Sequence, residues 1–150
     1  MGSQEIKRRI IAGMREKGLR LTLQRRVIID ILAGTKMHPT AQDILTSARE
    51  KIPAISLSTV YLTLDTMKRA GLIKELEFGD LNNRYEGDVS DHLNLVCTRC
   101  GQVMDFYTPL PLDPEQVEKK TGFKGESVRF DYYGYCRKCR RNRESFLPVK

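Results

Sequence analysis

Four cysteines are the residues whose type and spacing point most directly to chemistry. They form two Cys-x-x-Cys pairs, Cys97 with Cys100 and Cys136 with Cys139. Two residues between thiolates allow a tight turn to direct both sulfurs at one ion, so two pairs supply the tetrahedral all-thiolate set that suits Zn²⁺. A site closed by four thiolates has no position for a substrate, and we therefore predict a structural zinc. The alternatives are two disulfides, or two reduced thiol pairs without an ion.

A Cys-x-x-Cys pair can instead belong to a thiol redox enzyme, which is the alternative function from a different class. Such enzymes need a reactive thiol with a lowered pKa, commonly at a helix start in a thioredoxin-like βαβ unit. Neither pair has that setting in the sequence, so we expect that the protein is not an enzyme.

Both histidines of the chain, His38 and His92, have oxygen-bearing neighbours that could complete a second metal site. His92 and Asn94 would share one face of a strand, since side chains alternate along strands. Glu86 and Asp105 belong to flanking predicted strands. Imidazole, carboxylate and amide oxygen together favour Fe²⁺ or Mn²⁺ over a thiophilic ion. By composition alone, however, scattered His, Asp and Glu side chains are more typical of a solvated surface.

The elements that must position these groups begin with four helices, marked by apolar residues at helical spacing. Their apolar faces are Ile6, Ile10, Ile11 and Met14; Val27, Ile28, Ile31 and Leu32; Ile44, Leu45 and Ala48; and Val60, Leu64 and Met67. Capping residues indicate where three of them start, and glycine or proline where all four end. The starts are Thr22, Thr40 with Asp43, and Ser56 or Ser58, and the ends are Gly18, Gly34, Pro53 and Gly71.

Short strands follow the helices. Residues 72–78 and 83–86 flank a loop at residues 79–82, which predicts a hairpin and therefore a winged helix over residues 1–86. From residue 87 the pattern predicts strands at residues 94–96, 103–107 and 128–133. One helix is expected among them, starting at Asp113-Pro114 and ending before Gly122. This second domain, residues 87–150, is small enough to need a metal staple.

Charge is distributed unevenly along the chain. Residues 1–70 carry 13 Lys/Arg against 6 Asp/Glu, residues 71–135 carry 7 against 12, and residues 136–150 carry 6 against 1. A basic first half suits a polyanion such as DNA and an acidic middle suits cations, although charges that merely keep the surface soluble explain the pattern equally well. No apolar run approaches the roughly 20 residues needed to cross a bilayer, and no secretory signal is evident. We therefore expect a cytoplasmic protein without membrane association.

Several segments together resemble the ferric-uptake regulator (Fur) family, and in order and spacing they cover almost the whole chain. The segments are Leu21-Thr22-Leu23-Gln24-Arg25, His38-Pro39-Thr40-Ala41, Ile55-Ser56-Leu57-Ser58-Thr59-Val60-Tyr61, Ala70-Gly71-Leu72-Ile73, Arg84-Tyr85-Glu86, Asp91-His92 and both cysteine pairs. The resemblance implies a homodimer that binds palindromic operator DNA with the helix at residues 58–70. The expected fold class is thus α+β: an N-terminal winged-helix DNA-binding domain followed by a small α/β dimerisation domain with a four-cysteine zinc site.

The resemblance also implies a regulatory ion, Fe²⁺ or Mn²⁺, between the two domains. Its ligands would be His38, Glu86, His92, Asn94 and Asp105. Asp105, where other members have Glu, makes the chain look most like the peroxide-sensing branch, in which bound Fe²⁺ reacts with peroxide and a histidine ligand is oxidised, releasing the DNA. The expected function is therefore a metal-dependent, peroxide-responsive repressor, and an iron- or zinc-uptake regulator is the alternative within the family.

Three features depart from the family pattern. Asn94 stands where a second histidine is usual, which weakens affinity for soft ions and leaves His38 and His92 as the candidate oxidation targets. Leu62 replaces the Arg of a common Thr-Val-Tyr-Arg pattern, which removes an expected contact with phosphate or guanine. Residues 126–129 replace a histidine-rich stretch, so the additional metal site of many relatives is expected to be absent.

Tyr61 is the first candidate for contact with DNA, because its ring and hydroxyl can meet a thymine methyl or a phosphate. A partly buried residue that supports the helix core is the alternative. The remaining candidates, each of which could also be an ordinary solvated side chain, are Arg20, Arg25, Ser58, Thr59, Leu62, Thr63 and Lys68. The basic residues 137–143 have the same ambiguity.

Overall fold

The structure, a computed structural model, describes residues 2–78, 81–109, 111–126 and 128–141. It divides into two compact units, Met1–Ser90 and Asp91–Lys150. Among the residues described, the first contains four helices and a hairpin, and the second contains a three-stranded sheet with two helices. The predicted α+β class, with helices first and a small sheet unit after them, is confirmed.

The four predicted helices of the first unit are α1 (Ser3–Glu16), α2 (Leu23–Gly34), α3 (Ala41–Arg49) and α4 (Leu57–Arg69). Side-chain caps start three of them, as predicted. The Thr22 hydroxyl accepts from the Arg25 N–H, and Thr40 forms a capping box with Asp43. Ser56, rather than Ser58, caps α4. These caps satisfy backbone N–H groups that have no partner within the helix.

One hydrophobic core joins the four helices, and the predicted apolar faces supply most of it. Burial of these aliphatic side chains is the main stabilising contribution, about 1.5–3 kcal/mol for each fully buried one. Ile11 and Ile31, which were expected on these faces, are only partly buried. The core residues without measurable exposure are Ile10, Met14, Ile28, Ile29, Ile44, Ala48, Val60, Leu64 and Met67.

An antiparallel hairpin of β1 (Lys74–Phe78) and β2 (Leu81–Glu86) completes the winged helix. The prediction of a loop over residues 79–82 was wrong at its second half, because Leu81 pairs with Phe78 and the strand continues through Asn82. Gly79 and Asp80 lie outside the described residues. An isolated bridge between Thr40 and Arg84 places the segment before α3 beside β2.

The second unit is built on β3 (Leu93–Cys97), which is the central strand of the order β4-β3-β5. β4 (Val103–Phe106) pairs with β3 antiparallel, and β5 (Phe130–Gly134) pairs with it parallel. The predicted helix is α5 (Pro114–Thr121), which Asp113 caps at its start and left-handed Gly122 ends. A short helix, α6 (Arg137–Arg141), occupies most of what was predicted as a basic tail. The end of that tail, at residues 142–143, lies outside the described residues.

Within the described part of the chain, none of the helices has the length and apolar character that crossing a bilayer would require.

The capping box at α3 gives a direct test of local stability. Thr40→Val removes the hydroxyl that the Asp43 N–H donates to, and we expect it to lower the free energy of unfolding by about 1 kcal/mol. Hydrogen bonds from the Thr40 side chain and backbone lower the pKa of Asp43. A carboxylate with a lowered pKa stabilises the fold at neutral pH, and this contribution is lost as pH falls through that lowered pKa.

The difference between Thr40→Val and the wild type should therefore shrink in acid, as measured by urea unfolding at neutral and low pH. Thr46→Val on the same helix is the matched control, because the Thr46 hydroxyl only donates to a carbonyl within the helix, that of Gln42. Equal effects of the two substitutions at neutral pH would contradict the assigned cap.

Candidate metal centres and nucleic-acid interface

The four cysteines meet at one end of the sheet in the second unit. Cys97 ends β3 and Cys100 lies in the turn after it, whereas Cys136 follows β5 and Cys139 lies in α6. β3 and β5 run parallel with Cys97 opposite Gly134, so the segments that follow them leave the sheet at the same end. The four Sγ atoms all lie within 4.8 Å of one another.

The spacing of these sulfurs fits one tetrahedral ion. Zn–S bonds of about 2.3 Å place the sulfurs of a tetrahedral site about 3.8 Å apart, and the Sγ atoms of Cys100 and Cys136 are 3.8 Å apart. A disulfide requires an S–S distance of about 2.05 Å. All four cysteines lie in the described part of the chain, and none of them is in a disulfide. The cluster therefore fits the predicted structural zinc.

The surroundings of the four sulfurs shift the pKa values of two of them in opposite directions. Burial acts to raise the pKa of Cys97, but backbone N–H donation from Cys136, Cys100 and Arg99 outweighs it and lowers the pKa to about 6. Burial and the neighbouring sulfurs raise the pKa of Cys139 to about 12. Four thiolates at this spacing would repel one another, which is why Cys139 keeps its proton at neutral pH, and a bound dication would supply the charge that deprotonates all four.

His38 and Glu86 form a buried pair in the first unit. Nε2 of His38 lies 3.9 Å from Oε1 of Glu86, and the two residues are 3% and 6% exposed. His38 has a φ of 47°, a left-handed conformation that is uncommon for a residue with a side chain. Two hydrogen bonds hold its segment, from Arg84 Nη1 to the His38 carbonyl at 3.0 Å and from the Tyr85 N–H to the Pro39 carbonyl at 3.0 Å.

His92 and Asp105 form the corresponding pair in the second unit. Nε2 of His92 lies 3.5 Å from Oδ1 of Asp105, and His92 is buried. The Tyr107 hydroxyl donates to Oδ2 of Asp105 at 3.3 Å, and its ring centroid is 5.3 Å from that of His92. Asn94 is buried on β3 directly across from Asp105 on β4. The imidazole, carboxylate and amide groups of this unit suit a borderline-to-hard divalent ion.

Asp131 is a partly buried residue that sequence reasoning missed. Its carboxylate accepts a hydrogen bond from the Asn94 amide at 3.0 Å, because Asn94 and Asp131 are opposite one another on β3 and β5. The parallel pairing of β3 with β5 is a long-range contact that no local pattern predicts.

The exposed side of α4 carries several of the predicted DNA-facing residues. Tyr61 is 51% exposed and Leu62 is 67% exposed, and Ser58 is exposed as well. Thr59 is half-buried, and its hydroxyl lies 2.9 Å from that of Ser56. Thr63 was wrongly predicted to face DNA: it is 4% exposed, because it lies on the core face of α4 beside Leu64.

Lys68, one of the predicted basic contacts, already has a partner within the first unit. Lys68 Nζ forms an ion pair with Glu75 of the wing, and this hydrogen bond raises the pKa of Lys68. Glu75 also accepts from the Tyr85 hydroxyl at 3.0 Å and from Asn83 Nδ2 at 2.9 Å. The Lys68 side chain thus joins α4 to the hairpin.

Arg20 and Arg25 lie next to each other at the start of α2. Arg25 Nη1 donates to the Arg20 carbonyl at 2.7 Å, which holds the guanidinium beside the segment that precedes the helix. The Arg20 side chain is exposed and Arg25 is half-buried.

A winged helix followed by a small sheet unit with a four-thiolate cluster defines a class of metal-binding proteins that carry a nucleic-acid-binding module. The chain belongs to the ferric uptake regulator family, whose family model matches residues 16–133.

Individual relatives span nearly the whole chain. It is 37% identical over 140 residues to the peroxide operon regulator of Bacillus subtilis, an alignment that covers 93% of this chain and 96% of that protein. It is 35% identical over 131 residues to the peroxide-responsive repressor PerR of Staphylococcus epidermidis, with 87% of each chain covered.

Solved structures of the same family are similar in fold. The ferric uptake regulator of Helicobacter pylori superposes with a TM-score of 0.71 and 26% identity, covering 93% of this chain and 95% of that one. A zinc-bound manganese uptake regulator superposes with a TM-score of 0.66 and 31% identity, covering 85% and 98%. The Campylobacter jejuni peroxide stress regulator gives 0.65 and 26%, covering 91% and 97%.

The state of the cysteines can be tested by thiol titration with metal analysis. We expect about one zinc per chain and no rapidly reacting thiol in the native protein, although Cys100 is exposed, because metal-bound thiolates are held by the ion. Denaturation with a chelator should release the zinc and make all four thiols reactive. Cys100→Ser should lose the zinc, whereas the control Thr98→Ser, in the same turn, should retain it. A rapidly reacting native thiol would instead favour a redox enzyme.

Proposed function

We propose that this protein is a metal-dependent repressor that binds operator DNA as a homodimer in the cytoplasm and responds to peroxide. The observation that carries the proposal is a histidine–carboxylate pair in each unit, His38 with Glu86 and His92 with Asp105, in which all but the partly buried Asp105 are buried. Buried carboxylates and imidazoles are costly to desolvate, so such pairs are typical of sites that hold an ion. Family membership and the names of the relatives support the same function.

The two pairs, together with Asn94, are proposed to bind one regulatory ion. Coordination energy is gained in full only when both units contribute ligands, so the ion favours the arrangement in which they close on it. The ion-bound arrangement is proposed to be the one that fits two half-sites of an operator. DNA binding would then depend on the metal. The left-handed backbone at His38 supports this role, because uncommon conformations cluster at ligand sites.

The proposed DNA surface is the exposed side of α4 with the residues flanking α2. Ser58, Tyr61 and Leu62 would meet base edges or phosphates, and Arg20 and Arg25 would meet the backbone of the duplex. Thr63 is left out because it is buried. Lys68 is proposed to act mainly by holding α4 against the wing.

Peroxide sensing is proposed on the basis of the ligand types and of the relatives. A bound Fe²⁺, which His38 and His92 would help to hold, would activate peroxide so that one of its oxygen atoms enters a ligand imidazole and the other leaves as water. Control of metal uptake remains the alternative, because the similar solved structures include manganese and ferric uptake regulators. Family membership favours a regulator over an enzyme.

Metal gating can be tested with a duplex selected from random DNA by the Mn²⁺-loaded protein. Mn²⁺ should raise wild-type affinity for this duplex by about 5–150-fold, the usual range of coupling between two sites. His38→Ala and Asp105→Ala should each abolish most of this gain while retaining the cysteine-bound zinc. Glu118→Gln, on the exposed surface of α5, is the control and should respond to Mn²⁺ as the wild type does. Equal wild-type affinity with and without Mn²⁺ would rule out the proposal.

Peroxide sensing separates the two family functions. We expect that peroxide adds an oxygen atom to His38 or His92 of the Fe²⁺-loaded protein, measured by peptide mass spectrometry, and that DNA affinity falls in parallel. The Mn²⁺-loaded protein is the control, because Mn²⁺ does not reduce peroxide readily. Loss of DNA binding without histidine oxidation, or no response at all, would favour metal-uptake control.

A further inference from the structure

Asn94 occupies an unusual position on the central strand of the second unit. Its side chain is 4% exposed and lies between two carboxylates, since Asp105 is opposite it on β4 and Asp131 is opposite it on β5. Directly opposed residues project from the same face of a sheet. The amide therefore lies in a row with both carboxylates, and it can present different atoms to each.

The contact with Asp131 determines which way the amide is turned. Asn94 Nδ2 donates to Asp131 Oδ1 at 3.0 Å. Arg129 holds the same carboxylate with two bonds, Nε to Oδ1 at 3.0 Å and Nη2 to Oδ2 at 2.8 Å, and the Tyr133 hydroxyl donates to Oδ2 at 3.3 Å. Both oxygens of this carboxylate thus already receive donors, and the carboxylate serves as an acceptor on every side. Asn94 must therefore direct its NH₂ group at Asp131 and its oxygen away from β5.

The oxygen that results is buried and has no hydrogen-bond partner among the described residues. Leaving a buried carbonyl oxygen without a hydrogen bond is destabilising, so such an atom calls for a ligand. Away from β5, along the same row, lies Asp105, whose carboxylate is 3.5 Å from His92 Nε2. A second carboxylate cannot donate a hydrogen bond to the Asn94 oxygen, whereas a cation between them satisfies both.

We propose that Asp131 is a positioning residue that turns the carbonyl oxygen of Asn94 toward the ion held by His92 and Asp105, and so biases that site toward hard ions such as Mn²⁺. This inference rests on the proposed regulatory ion. An amide oxygen is a hard donor that suits Mn²⁺, whereas Zn²⁺ binds imidazole nitrogen more readily. Asp131 thus acts on metal selectivity through the orientation of Asn94, without itself being a ligand.

The test is a double-mutant cycle read out by metal binding alone. Full-length protein that retains its cysteine-bound zinc is titrated with Mn²⁺, and free Mn²⁺ is followed by electron paramagnetic resonance. Asp131→Asn allows the Asn94 amide to turn over, and it should weaken Mn²⁺ binding about 10–100-fold, as is usual for residues that orient a ligand. In an Asn94→Ala background the same substitution should have no further effect. Glu118→Gln is the control and should bind Mn²⁺ as the wild type does.

The preference of the site for Mn²⁺ over Zn²⁺ is a second readout, which would not change if Asp131 only stabilised the fold. Competition between Zn²⁺ and Mn²⁺ should shift toward Zn²⁺ in Asn94→His, and Asp131→Asn should reduce the wild-type preference for Mn²⁺. If Asp131→Asn loses the cysteine-bound zinc, Arg129→Gln is used instead, because Arg129 holds the Asp131 carboxylate. It should lower the Mn²⁺ affinity by a smaller factor, and this loss must also vanish in the Asn94→Ala background.

Unchanged Mn²⁺ affinity in Asp131→Asn, or an equal loss with and without Asn94, would overturn the inference and leave the proposed function intact. A wild-type protein that binds no Mn²⁺ beside its zinc would overturn both.

Discussion

Parallel pairing between β3 and β5 is the contact on which the chemistry of the second unit depends. At one end of this pairing, Cys97 opposite Gly134 brings the two cysteine pairs together, and at the other end Asn94 opposite Asp131 sets the direction of an amide. In the described part of this unit few apolar side chains are fully buried, Val96 and Val103 among them, so the core that they form is small. A metal that clamps the ends of β3 and β5 supplies the stability that such a core lacks. The same clamp maintains the register that aligns Asn94 with Asp131.

The first unit does not need a metal for its stability, because four packed helices supply a large apolar core. That core fixes α3, whose capping residue Thr40 bridges to Arg84 on the wing. Arg84 in turn donates to the carbonyl of His38, which keeps an uncommon backbone conformation two residues before the cap. The segment that carries His38 is therefore held by its contacts with β2. This rigidity matters, since a ligand that is already in place loses little entropy when it binds an ion.

Local patterns predicted the helices, their caps and the ligand types, because each depends on residues close together in the chain. Thr63 was placed on the wrong side of α4, although its spacing from Val60 and Met67 puts it on the apolar stripe; its polarity outweighed its position. The hairpin loop was predicted too long because Asn82 is uncommon in strands, yet pairing with β1 overrides that preference. Asp131 was missed for another reason. Its role follows from the register of β3 against β5, which joins segments far apart in the chain and leaves no periodic signal.

The donor atoms of each site determine how well it distinguishes Zn²⁺ from Mn²⁺. Four soft sulfurs at the cysteine cluster bind Zn²⁺ far more tightly than Mn²⁺. At a site with carboxylate and amide oxygens the difference in affinity between the two ions is smaller. Zinc generally binds nitrogen and oxygen sites more tightly than manganese does. A regulatory site rich in imidazole would therefore bind zinc whenever free zinc is present. At the proposed regulatory site, the Asn94 oxygen in place of an imidazole would reduce that advantage of zinc. Arg129 and Asp131 keep the Asn94 oxygen turned away from β5, so the selectivity of the proposed site would depend on a hydrogen-bond network in the sheet as well as on its ligands.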